Sequence, residues 1–128
     1  MDPVFEHRAN HDLRINFNIS KGDITFMEFV KNLDRVVHHP AYIDTYNILI
    51  DIREANFIDF AKNNSVLVDF IDETISTFNM KRKCAIVTTN PTDVVHATML
   101  IKRFQKMGIR FAFYIFSSEE AALDWLLV

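Results

Sequence analysis

Residues 46–57 read YNILIDIREANF, and the course of the chain can be worked out from them. Ile48, Leu49, Ile50 and Ile52 form an apolar run broken only by Asp51. A short apolar run without polar alternation reads as a strand covered on both faces, as in a parallel sheet. Asp51, Arg53 and Glu54 mark where that strand leaves the core. Sites in open α/β sheets gather at the carboxyl ends of strands. Asp51, Arg53, Phe57, Asp59 and Phe60 are therefore the candidate binding surface.

Upstream, residues 4–8 and 13–19 are extended candidates. The break at Ala9-Asn10-His11-Asp12 suits a hairpin. Leu13, Ile15, Phe17 and Ile19 alternate with Arg14, Asn16 and Asn18, which predicts a half-buried strand with one wet face. Ser20-Lys21-Gly22-Asp23 is expected to turn the chain. Thr25 and Glu28 have the spacing of a capping box. The helix that follows has Phe26, Phe29, Val30, Leu33 and Val37 on its apolar face, with Lys31, Asn32, Asp34 and Arg35 opposite. His38-His39-Pro40 ends it. Adjacent helical residues point about 100° apart, so this histidine pair reads as a helix terminus and not as metal ligands.

Downstream, a helix is expected to begin between residues 59 and 65 and to run to about residue 78, with Asp69, Asp72 and Glu73 on its wet face. A strand follows at 84–88. Asn90-Pro91 starts a helix as N-cap and first helical residue. Ala97, Leu100, Ile101, Phe104 and Met107 form its apolar face, and Gly108 ends it. Residues 109–116 form a strand apolar on both sides. Ser117 and Glu120 are spaced as a second capping box, before a last helix with Ala122, Trp125 and Leu126 inward. The order β-β-α-β-α-β-α-β-α predicts a single α/β domain over 1–128. It is a mixed sheet with an N-terminal antiparallel hairpin, then parallel right-handed crossovers, and helices packed on it.

Composition narrows the function. The 128 residues carry a net charge of −3, too mild for a nucleic-acid partner. No apolar run reaches the roughly 18–20 residues of a membrane span. The first residues lack the apolar core of a signal peptide, and the one cysteine forms no internal disulfide. The expectation is a soluble cytoplasmic protein.

Gly22-Asp23-Ile24-Thr25, then ILIDIREANF at 48–57, then FSSEEAALDWL at 116–126, resemble the SpoIIAA-like branch of the STAS superfamily across nearly the whole chain. The resemblance implies a small mixed sheet with packed helices. It also implies regulation, since the superfamily includes anti-sigma-factor antagonists with a phosphorylatable serine after the central strand. Phe57-Ile58-Asp59 matches that turn, but Phe60 stands in the serine position and no glycine follows. Ser65 reads as a helix-start residue.

Other chemistry is thinly represented. Asp44, Asp51 and Asp59 resemble an acidic cluster, and Thr88 or Thr89 fits a response-regulator receiver. The paired acids and the lysine that a receiver needs are absent from the first and last parallel strand ends. Cys84, beside Arg82 and Lys83, reads as a small buried hydrophobe. No nucleotide-binding or nucleophile-elbow pattern occurs. The expected protein is a non-enzymatic regulatory or protein-interaction module without cofactor or metal. The alternative is a carrier of a small apolar ligand or lipid, as related folds are. Basic residues gather in 81–110, where Lys102, Arg103 and Lys106 share a helix with Val95 and Met99. The last strand is expected at a sheet edge, giving a homodimer through some of Val95, Met99, Tyr114 and Phe116.

Overall fold

The apolar run of 48–52 lies in the middle strand of a five-stranded sheet. The computed structural model describes residues 1–59, 69, 73, 82–106 and 112–128. Within these, the elements are β1 (Val4–Asn10), β2 (Ile15–Ile24), α1 (Phe26–Val37), β3 (Asn47–Phe57), β4 (Lys83–Val87), α2 (Pro91–Lys106), β5 (Ala112–Phe116) and α3 (Glu119–Leu126). The strand order is β1-β2-β3-β4-β5, with β1 antiparallel to β2 and every later pair parallel. This is the mixed α/β sheet that the element order predicts. The helix expected over 59–78, Gly108 and the strand start at 109–111 lie outside the described residues, save that Asp69 and Glu73 are helical and exposed.

Two apolar layers sandwich the sheet. On one face Ile15, Phe17, Leu49, Ala85 and Val87 pack under Ala122 and Leu126 of α3. On the other, Ile24, Ile52 and Ala55 pack with Phe5, Ile50, Ile86 and Phe29 of α1. Repeated crossovers of one hand put α1 and α2 on the same face. Asn47 ties the amino end together: its amide donates to the Leu126 carbonyl at 3.1 Å and accepts from the Lys83 N–H at 3.1 Å. The Lys83 ammonium donates to the Trp125 and Val128 carbonyls, a cation on the end of α3 where the helix dipole favours one. Among the described residues no helix is long and apolar enough to cross a membrane.

Local signals set most boundaries. Thr25 accepts from the Glu28 N–H while Glu28 accepts from the Thr25 N–H, so the first capping box closes. Asn90 accepts from the Thr92 N–H and starts α2. The second box is displaced: Ser118, not Ser117, is the N-cap of α3 and accepts from the Ala121 N–H.

Three expectations are corrected. Ser20-Lys21-Gly22-Asp23 is not a turn, because β2 runs through it to Ile24. Gly22 takes φ +89°, and the backbone of Met1 and Asp2 lies against it where any Cβ would collide. Asn16 and Asn18 do not face water; they are buried at 0% and 4% exposure. The segment after α1 covers that side, and Asn16 exchanges both amide bonds with the Ile43 backbone, which keeps its carboxamide satisfied. Asn32, placed on the wet side of α1, is buried as well.

His7 belongs to this polar layer, opposite Asn18 in the hairpin and with its ring near those of Tyr42 and His39. Burial pushes its pKa below 6.5, the neighbouring Asn16 amide partly opposes that, and His39 reinforces it. Burial pushes the Tyr42 phenol up to about 12.

Two outcomes are expected. Gly22→Ala combines a left-handed backbone with a clash against main chain, and lowers stability by about 1–3 kcal/mol in urea unfolding. A His7 pKa lowered by folding means that the folded state binds fewer protons there, so its contribution is complete above pH 6.5 and is lost as pH falls below it. Unfolding midpoints at about pH 7.5 and about pH 5.5 differ less for His7→Gln than for the parent.

Candidate functional site at the carboxyl end of the central strand

The end of β3 is shaped by one irregularity. Ile19 pairs with Asp51, but Lys21 pairs with Glu54. Between these pairs Ser20 of β2 opposes both Ile52 and Arg53 of β3, a β-bulge, and such bulges re-aim side chains. Ahead of it, Leu49 faces α3 and Ile50 faces α1. Beyond it Ala55 and Phe57 join Ile52 on the α1 side.

Asp51 and Arg53 form one unit. The guanidinium donates from Nε to Oδ1 at 3.0 Å and from Nη2 to Oδ2 at 2.8 Å, and the Arg53 N–H adds a bond to Oδ1 at 3.1 Å. Burial pushes the Asp51 carboxyl up, but the bonds from Arg53, its charge and that of Lys21 together hold it below the ordinary carboxylate range. The bond to Asp51 raises Arg53, with Glu119 and Glu54 adding to the effect. Lys21 lies 3.5 Å from Glu54. Asp51, with both oxygens engaged by a guanidinium, is a poor base and a poor metal ligand. The arrangement instead presents fixed charges of both signs near the start of α3.

The other candidates sit elsewhere. Phe57 packs edge-to-face on Phe29, with ring centroids 5.3 Å apart. Asp59 accepts from the Phe26 N–H at 2.7 Å and so engages the first turn of α1, where the dipole favours an anion. The structure therefore brings Asp51 and Arg53 together on the α3 side and places Phe57 and Asp59 against α1. Phe60 lies outside the described residues. Sequence reasoning missed Ile58, which is 59% exposed, and Met27, which is 40% exposed. In the chain they adjoin Asp59 and Phe26, the two partners of that bond. Ile58 lies between Phe57 and Asp59, and no local signal marks it as exposed.

Cys84 is 2% exposed, and burial pushes its thiol up to about 12, so it is core and not a nucleophile. At the far edge of the sheet Val95, Met99 and Tyr114 are exposed, while Phe116 is half-buried with its ring centroid 5.6 Å from that of Trp125.

No protein-family model and no curated protein matches the sequence. Solved structures do match. One is an uncharacterised protein of the DUF3478 family with a SpoIIAA-like fold from Shewanella loihica PV-4, at 17% identity and a TM-score of 0.60 over 97% of this chain and 93% of that one. Another is an anti-sigma factor antagonist from Mycobacterium paratuberculosis, at 17% identity and a TM-score of 0.62 over 98% of this chain and 94% of that one. These likenesses support, as to fold, the resemblance read from the sequence: the chain has a SpoIIAA-like fold.

Proposed function

We propose that the chain is a regulatory module of the STAS type that works by binding a protein at the carboxyl end of β3 and catalyses no reaction. The observation that carries this reading is the exposed Ile58, just past the end of β3 and next to Asp59 in the chain. An apolar anchor rimmed by fixed charges is the composition of a protein-binding spot. The similarity to an anti-sigma factor antagonist supports the regulatory part of the reading. The engaged Asp51 carboxylate and the buried Cys84 support the absence of catalysis. Phe60 in the serine position supports a module without the phosphoserine switch. A homodimer through Val95, Met99 and Tyr114 is compatible with this reading, because it leaves the end of β3 open.

The test is quantitative capture from the source cells on immobilised protein. Ile58→Lys and Arg53→Glu are expected to lose a set of proteins that the parent and a distant surface variant, Gln105→Glu, both retain. Equal recovery by all four removes the proposed surface. Asp59→Asn weakens a charge-assisted bond to α1 and lowers stability by about 1–2 kcal/mol, with capture unchanged at temperatures where the variant is folded. Native mass spectrometry of the purified protein is expected to show the 15.0 kDa polypeptide, or a whole multiple of it, without an added small mass. A co-purifying mass of lipid size would replace this reading with that of an apolar-ligand carrier.

A further inference from the structure

The connection between α1 and β3 covers a polar floor without satisfying it. Its ends are fixed. His38 is the C-cap of α1, and Asn47 donates to the Arg14 and Leu126 carbonyls and accepts from the Lys83 N–H. Between them His39, Pro40, Ala41, Asp44 and Thr45 are exposed, and only Tyr42 is buried, at 8% exposure. Among the described residues, two side-chain contacts tie this stretch to the opening hairpin. The Asn16 carboxamide holds the Ile43 backbone at 2.8 and 3.2 Å, and the exposed His11 ring meets the Tyr46 hydroxyl at 3.0 Å.

Beneath the connection, His7 and Asn18 are partners across β1 and β2, and Asn18 pairs in turn with Ile50, which faces α1. Paired residues share a face of the sheet, so the imidazole and the carboxamide stand side by side on that face. The Tyr42 ring lies 6.1 Å from the His7 ring, and the His39 ring lies 6.3 Å from it. Yet Asn18 Oδ1, His7 Nε2 and the Tyr42 hydroxyl are shut off from solvent and meet no hydrogen-bonding group among the described residues. Each such atom gives up hydration on closure and gains no bond in return. The layer therefore opposes the seating of the segment that covers it. The apolar layers that hold the sheet together do not depend on that segment.

We propose that residues 39–46 form a flap that opens between its fixed ends while the sheet stays folded. Opening hydrates three unpartnered polar groups and gives up one buried ring and the bonds of one carboxamide. It uncovers His7, Asn16 and Asn18, a hydrogen-bonding floor on β1 and β2 that the closed form hides. The flap stands at the amino end of β3, where Asn47 begins the strand, whereas the partner-binding reading concerns the carboxyl end. Either can fail without the other.

Amide exchange of the folded protein, read by NMR over a series of low urea concentrations, tests the flap. The Ile43 N–H, which Asn16 holds, is expected to be protected about a hundredfold less than the Leu49 N–H of the central strand. Its protection is expected to respond little to urea, because a local opening exposes little surface. Tyr42→Phe deletes the unpartnered hydroxyl alone and is expected to raise the protection of both amides about fivefold, since the closed form is relieved relative to the open and the unfolded forms alike. An Ile43 amide that exchanges in step with Leu49 as urea rises overturns the proposal. So does a Tyr42→Phe variant with unchanged or lower protection, because the hydroxyl would then be hydrogen-bonded in the closed form, to water or to protein. The parent protein alone decides the first point, so a variant that fails to fold does not shelter the flap.

Discussion

The extra residue that β3 carries between Asp51 and Glu54 decides what its carboxyl end presents. Side chains of a strand alternate, so a change of one residue sends everything beyond it to the other face. Without the bulge, Ala55 and Phe57 would continue on the side of Leu49 and Asp51, and Glu54 and Asn56 would be driven under α1. With it, both layers stay apolar. Glu54 meets Lys21, Asn56 donates to Asp23 at 3.0 Å, and Phe57 reaches Phe29. The bulge thus reconciles a strand buried on both faces with a polar exit.

The ends of the helices are held by chemistry of the same kind. α1 begins on Thr25, Glu28 and Asp59, so an acid beyond the end of β3 completes a helix that precedes β3 in the chain. α3 ends on the Lys83 ammonium, whose donors meet the carbonyls that an α-helix leaves unsatisfied. Asn47 joins β4 to α3 through one amide. The Asp59, Lys83 and Asn47 contacts join segments distant in sequence, and each is directional where the apolar layers are not.

Much of this was legible in the amino acids. The unalternating run at 48–52 fixed β3 as a parallel strand, and Thr25 with Glu28 and Asn90 with Pro91 located two helix starts, because those signals are local. The length of β2 was hidden, since Gly22 reads as a turn residue until the Met1–Asp2 backbone is known to lie against it. Asn16, Asn18 and Asn32 looked like solvent positions, because the carbonyl and N–H of Ile43 that satisfy Asn16 come from another segment. The candidate site was legible as a place but not as a grouping. Asp51 and Asp59 are both acids near the end of β3, yet the bulge sends one to Arg53 and the other to α1.

Cys84 gives the molecule a built-in clock for its own opening. The thiol is 2% exposed, near the start of β4, and burial holds it in the unreactive protonated form. A thiol reagent reaches it only when the sheet parts, so the rate of labelling counts excursions of the core and not breathing of the surface. Because the chain has no other cysteine, that rate is a single-site signal, readable by mass in unpurified mixtures and under conditions where optical probes fail.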